Sequence, residues 1–282
     1  MKKEVAIIGL GKMGKNMALR LKERRWKVLG LDKGYNFSKI KDISRPRLLI
    51  LSVPAQAVDE IIRESSKFLE KGDIIADFGN SFYKDSVRRA GGLSRKGIRF
   101  ADVGISGGPG GARHGACLMV GGRRKDYRYL RPLFLAVARE PGALEFFEGA
   151  GAGHFVKMVH NGIEYGMMQA IAEGFAVLKK SKYHLDLRRV AEVYNHGSVI
   201  ESRLTRWLKE AFRVYGEDLK KVSGKVGHTG EGEWTVKTAK ELGVPAKIIE
   251  GALKFRIESA KKPSYAGKIL SALRSRFGGH RI

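Results

Sequence analysis

Five polar side chains in the stretch GAGHFVKMVHNGIEYGMMQAIAEGFAVL have the types and the spacing of a set that could do proton chemistry. Lys157, His160, Asn161, Glu164 and Tyr165 stand at i, i+3, i+4, i+7 and i+8, so a helix places them on one face. Apolar residues fill most of the remaining circumference, which favours the wall of a cleft, although a solvated face is the alternative. A partly desolvated lysine can act as a base, and a glutamate on the same face can supply a proton.

A second signal lies in the N-terminal segment VAIIGLGKMGKNMALRL, which predicts a strand, a glycine turn and a helix. In this GxGxxG context the first glycine makes the tight turn, the second lets the backbone approach a pyrophosphate, and the third lets helix and strand pack closely. The helix N-terminus then holds the phosphates through its N–H groups and its dipole. The expected dinucleotide contacts are Gly9, Leu10, Gly11, Lys12, Met13 and Gly14.

Asp32 follows the next predicted strand, about 20 residues beyond the glycines, where a carboxylate can accept the ribose hydroxyls of a dinucleotide. The same carboxylate repels a 2′-phosphate, so Asp32 predicts NAD as the cofactor. Lys33 directly after it is the counter-argument, and it leaves NADP open. The alternative interpretation of these two residues is an ordinary polar turn.

The elements that must position these residues change in kind along the chain. Short β-branched runs alternate with amphipathic stretches up to about residue 150, which predicts βαβ units on a parallel sheet. The predicted strands are 4–9, 27–32, 47–53, 73–78, 99–102 and 117–121. A helical period dominates afterwards, with helices predicted at 155–180, 187–194, 199–215, 234–242, 245–260 and 265–276. We therefore expect a doubly wound, Rossmann-type α/β domain over residues 1–152 and an all-α domain over 153–282.

Composition bounds the partners of the chain. With 54 Lys and Arg against 29 Asp and Glu, the 282 residues carry a net charge of +25, which suits nucleic acids or anionic small molecules. These charges are scattered and no nucleic-acid-reading motif is visible, so an anionic small molecule is favoured and nucleic-acid binding is the alternative. One cysteine excludes an intramolecular disulfide and a Cys-based zinc site, and no metal is expected. No run approaches about 18 consecutive apolar residues, so we expect no membrane span and a cytoplasmic location.

Taken together, the stretches resemble the 6-phosphogluconate dehydrogenase family of the β-hydroxyacid dehydrogenases. The matching stretches are, in chain order, GLGKMGKN, SVPA, KGDIIADFGNS, DVGISGG, GARHGACLMVGG, GAGHFVKMVHNGIEYG, GEGEWT and FGGH. Single glycine motifs are common, but the ordered set and HFVKMVHNGIEYG are specific. The short chain and Asp32 resemble the NAD-type, single-repeat branch of the family.

The resemblance implies roles for individual residues. Lys157 corresponds to the family's general base and Glu164 to its general acid. The further residues expected at the cofactor are Val53, Pro54, Ala55 and Asn80. The residues expected at the substrate are Asn80, Ser106, Gly107, Gly108, His160, Asn161, Tyr165, Arg256, Arg274 and His280.

Arg274 and His280 match positions that the tail of a second subunit donates in this family. The resemblance therefore implies a homodimer with shared sites, and it leaves a tetramer open. Without the resemblance, a solvated basic terminus would be the default interpretation of these two residues.

The implied reaction is the oxidative decarboxylation of 6-phosphogluconate to ribulose 5-phosphate and carbon dioxide with reduction of NAD. One departure from the family bears on the substrate: Thr229 stands where the family has its phosphate-binding lysine, and a hydroxyl cannot replace that charge. Gluconate or another sugar acid is therefore an alternative substrate. A small β-hydroxyacid such as 3-hydroxyisobutyrate is a second alternative, but Glu164 argues against it because oxidation without decarboxylation leaves no enediol to protonate.

Overall fold

The computed structural model describes residues 1–279. The chain divides into two compact units, one from Met1 to Met158 and the other from Val159 onward. The division falls inside a long helix that begins at Ala152, so the boundary predicted between residues 152 and 153 lies in the first turn of this helix.

The first unit is built on one seven-stranded sheet. Its strands are β1 (Glu4–Ile8), β2 (Lys27–Leu31), β3 (Leu48–Leu51), β4 (Ile74–Asp77), β5 (Arg99–Ser106), β6 (Cys117–Gly122) and β7 (Leu144–Glu148). Their order across the sheet is β2-β1-β3-β4-β5-β6-β7, and every neighbouring pair is parallel except β5 and β6.

Five helices flank this sheet: α1 (Lys12–Glu23), α2 (Val58–Ser65), α3 (Tyr83–Arg95), α4 (Gly108–His114) and α5 (Arg124–Val137). Successive side chains of a strand point to opposite faces, and β1 shows this directly. Val5 and Ile7 join the core that contains residues of α1 and α5, whereas Ala6 and Ile8 join the core that contains residues of α2 and α3. Because both faces are covered, β3 is apolar throughout and β1 is apolar after Glu4, and the doubly wound α/β expectation is confirmed.

Two features of the sheet differ from the sequence prediction. β6 runs antiparallel to β5, since the connection through residues 107–116 is too short for the crossover that a parallel pair requires. β7 was not predicted at all. Its sequence, LEFFE, contains no β-branched residue and no clean alternation, so the usual strand signal is missing.

The second unit is helical, as expected. Its helices are α6 (Ala152–Lys180), which begins in the first unit, α7 (Leu187–Tyr194), α8 (Arg203–Tyr215), α9 (Glu231–Glu241), α10 (Lys247–Glu258) and α11 (Tyr265–Gly278). Helix α8 begins at Arg203, not at Val199, because the Ser202 hydroxyl accepts the N–H of Thr205 at 3.1 Å and caps the helix there. Within residues 1–279, none of the helices combines the length and the apolar character needed to cross a bilayer.

Candidate active site

Five parallel strands, β1 to β5, end at the same edge of the sheet. The predicted site residues of the first unit follow these strand ends, from the glycine turn after β1 to the serine and glycines at the end of β5. The strand order reverses between β1 and β3, and in open α/β sheets this is where a dinucleotide binds. The structure therefore brings the predicted cofactor-binding stretches together at one edge.

The glycine turn after β1 has the shape that a pyrophosphate site requires. Gly9 has φ +93°, and a Cβ there would lie 2.4 Å from the Ser52 carbonyl oxygen. A Cβ on Gly14 would lie 1.9 Å from the Gly9 carbonyl oxygen, so this glycine is needed for α1 to pack on the turn. A Cβ on Gly11 would meet nothing within 4 Å. Gly11 is the N-cap of α1 and offers no side chain, and no acidic residue occupies the first turn, so the helix start suits an anion.

The remaining residues of this turn are divided between core and solvent. Leu10 packs over Gly30 of β2, where a Cβ would lie 2.9 Å from the leucine Cδ1. Met13 packs against the sheet core, and Lys12 is exposed. Leu10 and Met13 thus shape the turn, and Lys12 is the charged side chain at its rim.

Asp32 and Lys33 are both exposed directly after β2. The pKa of Tyr35 is raised, mainly because its side chain is partly buried and additionally because the negative charge of Asp32 is nearby. The Tyr35 ring stacks on Phe37 with 5.2 Å between the centroids. A carboxylate, an ammonium and an aromatic ring therefore stand together where the adenosine half of a dinucleotide is expected.

The loops after β3 and β4 contact each other. Val53 is buried, Pro54 and Asn80 are exposed, and Ala55 is partly buried. A Cβ on Gly79 would lie 3.0 Å from the Val53 carbonyl oxygen, so Gly79 lets the two loops approach. The predicted cofactor and nicotinamide contacts thus belong to neighbouring loops at the carboxyl edge.

The end of β5 turns through two left-handed glycines. Gly107 has φ +122° and Gly108 has φ +60°, conformations that favour glycine. A Cβ on Gly107 would lie 3.1 Å from the Cα of Gly111. Together with Ser106, this turn offers backbone and hydroxyl donors of the kind that suit a carboxylate.

Lys157 lies on α6 against strand β5 and is only 8% exposed. A Cβ on Gly104 would lie 2.3 Å from the Cβ of Lys157, so the glycine makes room for the lysine stem two residues before Ser106. Desolvation of a lysine favours its neutral form, which is the form that can accept a proton.

The start of α6 is held by residues that the sequence analysis did not select. The buried Asp102 carboxylate accepts the N–H of Gly151 at 2.7 Å and that of His154 at 2.8 Å. A Cβ on Gly153 would lie 2.4 Å from the Met119 carbonyl oxygen, so the first turn of the helix lies directly on β5 and β6. No local signal marks Asp102 as a helix cap, because it lies about fifty residues before the helix that it holds.

The next turns of α6 carry the rest of the polar stripe. His160 Nδ1 lies 3.0 Å from the Asn161 Oδ1 and 3.8 Å from the Glu164 Oε2, and the His160 and Glu164 side chains are 33% and 23% exposed. From Lys157 to Glu164 the helix axis advances about 10 Å. The apolar part of the helix is less enclosed than predicted, since Ile163 and Met167 are exposed.

A basic cluster in the second unit surrounds Tyr165, which is buried. The Arg256 guanidinium carbon lies 3.4 Å from the centroid of the Tyr165 ring, and the backbone of Thr229 hydrogen-bonds the tyrosine hydroxyl. Burial lowers the pKa of Arg256 to about 10, and the positive charge of Arg274 contributes to this. Among residues 1–279 the buried Arg256 Nε finds no hydrogen-bond partner. The cluster therefore has donor capacity for an anionic ligand.

Arg274 belongs to the same cluster. Its guanidinium packs against Gly227, and burial lowers its pKa, whereas the charges of Tyr165, Glu231 and Glu164 act in the opposite direction. The resemblance implies that a second subunit donates Arg274, and this stays a prediction; within its own chain Arg274 is in electrostatic range of Tyr165 and Arg256. The buried Glu231 was not selected from the sequence; the only local signal is its place in GEGEWT at the start of α9. His280 lies outside the described residues.

Two protein-family models match the chain. The NAD binding domain of 6-phosphogluconate dehydrogenase matches residues 4–147, and the C-terminal domain of 6-phosphogluconate dehydrogenase matches residues 153–275. The chain belongs to the 6-phosphogluconate dehydrogenase family. This membership makes it one of the oxidoreductases with a nicotinamide-binding Rossmann domain.

Two relatives in this family match over almost the whole chain. YqeC of Bacillus subtilis is 42% identical over 98% of each chain. The NAD(+)-dependent, decarboxylating 6-phosphogluconate dehydrogenase of Haloferax volcanii is 36% identical over 99% of this chain and 98% of its own length.

Other members of the 6-phosphogluconate dehydrogenase family are longer. The Plasmodium falciparum 6-phosphogluconate dehydrogenase, solved in apo form and with NADP+ and 6-phosphogluconate, superposes with a TM-score of 0.77 at 30% identity. That match covers 92% of this chain but 62% of the Plasmodium chain. The 3-hydroxyisobutyrate dehydrogenase of Salmonella typhimurium superposes with a TM-score of 0.75, but at 18% identity it shows the shared fold alone. The names of these relatives include both NAD(+) and NADP+.

Proposed function

We propose that the chain catalyses the oxidative decarboxylation of 6-phosphogluconate to ribulose 5-phosphate and carbon dioxide with reduction of NAD. The observation that supports this best is the content of one helix: the buried Lys157 and the partly buried Glu164, with Glu164 in electrostatic range of the buried Arg256. A base, an acid and an anion-binding cluster are what this reaction requires of the protein.

The residues at the carboxyl edge fit a dinucleotide. Gly9 and Gly14 are fixed by close backbone contacts, and the open space at Gly11 faces the uncapped start of α1, where a pyrophosphate would be held. Asp32 would accept the ribose hydroxyls, which favours NAD over NADP. The nicotinamide supplies the hydride acceptor when it is bound.

The proton steps belong to the protein. As a neutral amine, Lys157 accepts the proton of the C3 hydroxyl while a hydride leaves C3, and a 3-keto acid results. The C1–C2 bond then breaks, its electron pair forms the C2–C3 double bond of an enediol, and the Lys157 ammonium returns its proton to the C3 oxygen. Glu164 protonates the carbon that becomes C1 of ribulose 5-phosphate, as the enediol proton goes back to Lys157.

The other predicted residues would hold the substrate. Ser106 and the left-handed glycines after it offer donors to the C1 carboxylate, and Asn80, His160 and Asn161 would contact the reacting carbons and their hydroxyls. The 6-phosphate would bind Tyr165, Arg256 and Arg274. A homodimer in which Arg274 and His280 of one subunit complete the site of the other remains a prediction of the resemblance.

Gluconate is the second candidate substrate, and Thr229 is the observation that favours it. The family lysine at this position would add a positive charge, whereas Thr229 adds none, and Glu164 and Glu231 offset part of the charge of the two arginines. The two arginines favour a phosphate all the same, because Arg256 is buried and its Nε makes no hydrogen bond to residues 1–279.

Initial rates of NAD reduction with 6-phosphogluconate and with gluconate test the proposal. A parallel series with NADP tests the cofactor, and the released carbon dioxide is trapped and counted. Equal moles of reduced cofactor and carbon dioxide from 6-phosphogluconate are the expected result. Activity on gluconate alone would mean that the substrate has changed together with the residue at position 229, where Thr229 stands. Activity on neither substrate would contradict the proposal.

A further inference from the structure

One buried arginine, Arg89 of α3, contacts both loops that carry the expected nicotinamide-side residues. Its side chain is 3% exposed. The guanidinium Nη2 donates to the carbonyl oxygen of Ala55, in the loop after β3, at 3.4 Å. The Nη1 donates to the hydroxyl of Ser81, in the loop after β4, at 3.0 Å. One planar group thus links two loops that are 26 residues apart in the chain, counted from Ala55 to Ser81 (81 − 55).

Asp77 extends this link on the β4 side. It is fully buried at the end of β4, and its Oδ1 accepts the N–H of Gly79 at 2.9 Å. Its Oδ2 accepts the Ser81 hydroxyl at 2.7 Å and lies 3.5 Å from the Arg89 Nη1. The residues on both sides of Asn80 are therefore held by one carboxylate, and that carboxylate is paired with Arg89.

Asp59 completes the set on the β3 side. This residue lies in the first turn of α2, directly after the Val53–Ala55 loop, and its Oδ1 accepts from the Arg89 Nε at 2.8 Å. The hydrogen bond from Arg89 is the main reason why the pKa of Asp59 is lowered to about 2, with Arg88 contributing as well. Four acceptors around one guanidinium use its fixed fork of donors, which a lysine cannot reproduce.

We infer that Arg89 is a positioning residue that sets the nicotinamide half of the cofactor site and leaves the adenosine half unaffected. The sheet order supports the division, since β3 and β4 lie on one side of β1 and β2 lies on the other. A dinucleotide bound across this point would have its adenosine ribose near Asp32, after β2, and its nicotinamide near the loops after β3 and β4. The inference rests on the dinucleotide site of the proposed function.

Arg88 is a matched control for Arg89. It is the preceding residue on α3, and it also binds Asp59, at 2.8 Å, together with Asp85 at 3.2 Å. Its side chain is 58% exposed, and these two carboxylates lie on the surface. Replacing Arg88 therefore removes a positive charge next to Asp59 without removing the link to Ala55 or to Ser81.

The experiment measures equilibrium binding of NADH and of ADP-ribose to the full chain for the wild type, Arg89→Met, Arg89→Lys and Arg88→Met. ADP-ribose keeps the adenosine and the pyrophosphate but lacks the nicotinamide, so the lost charge affects both ligands alike. We expect Arg89→Met to weaken NADH binding by about tenfold and ADP-ribose binding by no more than about twofold. The affinity of Arg89→Lys for NADH should lie between those of Arg89→Met and the wild type. Arg88→Met should bind both ligands as tightly as the wild type does.

Ser81→Ala is the second variant, for the case that Arg89→Met does not fold. It removes the hydroxyl between Asp77 and Arg89 but leaves the buried charges paired, and a smaller loss of about threefold, again for NADH alone, is expected. Equal losses for NADH and ADP-ribose, or no loss in either Arg89→Met or Ser81→Ala, would overturn the inference. If the wild type binds neither ligand, both the inference and the proposed cofactor site are wrong. If the variants lose affinity for NADH alone but the wild type does not turn over 6-phosphogluconate, the proposed reaction is wrong and the role of Arg89 is supported.

Discussion

At the scale of single residues, the proposed chemistry depends on two side chains of α6, Lys157 and Glu164. We expect Lys157→Met to abolish hydride transfer, because it removes the base assigned to the hydroxyl proton. Glu164→Gln should keep the affinity for NADH and lose about 10² or more in kcat, the range that general acid catalysis contributes. Single-turnover reduction of the cofactor and NADH titration measure the two effects. Glu173→Gln is the control, since it changes the same charge at an exposed position of the same helix. Normal turnover in either active-site variant would remove its assigned role.

Thr229 is the residue on which the choice of substrate turns. Its replacement by lysine restores a positive charge beside the Tyr165 hydroxyl, which the Thr229 backbone already contacts. We expect Thr229→Lys to lower KM for 6-phosphogluconate by about tenfold, as a new charge-assisted contact would, and to leave KM for gluconate unchanged. His228→Lys adds the same charge at the neighbouring exposed position and should change neither value selectively. An equal gain on both substrates would mean that the 6-phosphate does not bind beside Tyr165.

Residues that act through short-range spacing could be selected from the sequence, and those that act through distant partners could not. The stripe from Lys157 to Glu164 follows from helical periodicity alone. Asp102 holds the helix that carries this stripe from 49 positions away, and Arg89 reaches the loop after β3 across 34 positions. A helix-capping or loop-bridging role of that kind leaves no periodic or motif signal, so it becomes visible only when the strands are assembled.

At the scale of elements, the position of α6 on the sheet is set by glycines of β5 and β6. Gly104 faces the stem of Lys157, where a Cβ would lie 2.3 Å from the lysine Cβ. Gly104→Ala must therefore displace the helix or the strand, and we expect a loss of about 1–3 kcal/mol in the free energy of unfolding, as for other overpacked cores. We also expect a fall in kcat of about tenfold or more, because Lys157 moves with the helix. Thermal or denaturant unfolding and steady-state rates measure the two effects.

Gly91 provides the matched control for this substitution. It lies in α3, and a Cβ there would meet nothing within 4 Å. Gly91→Ala should raise the stability by about 0.5–1 kcal/mol, since alanine loses less backbone entropy in a helix. If Gly104→Ala proved as stable and as active as Gly91→Ala, the position of Lys157 would not depend on the glycine contact.

Elements with a strong periodic pattern could be predicted from the sequence. Six strands and six helices carry strong periodic signals and are found near their predicted positions. The direction of β6 depended on the length of its connection to β5, and β7 pairs at the edge without a β-branched residue. The start of α8 was decided by a single hydroxyl, that of Ser202. These are consequences of chain connection and local capping, which hydrophobic periodicity does not report.

At the scale of the whole molecule, the net charge of +25 should act on the approach of an anionic substrate. 6-Phosphogluconate carries both a carboxylate and a phosphate, whereas gluconate carries the carboxylate alone, so electrostatic steering should favour the phosphorylated acid more strongly. Added salt screens such steering, because the Debye length falls to about 10 Å at about 0.1 M. The two substrates should therefore respond to salt to different degrees.

This difference can be measured in one salt series from about 0.02 M to about 0.2 M. We expect kcat/KM for 6-phosphogluconate to fall by about threefold or more across the series, while kcat at saturating substrate stays constant because the loaded site is no longer supplied by diffusion. The fall for gluconate should be clearly smaller, and an uncharged cosolute at equal viscosity controls for slower diffusion. Equal salt dependence for both substrates would mean that the positive charge serves some other partner. A salt effect on kcat would mean that the charge acts on a step after substrate binding.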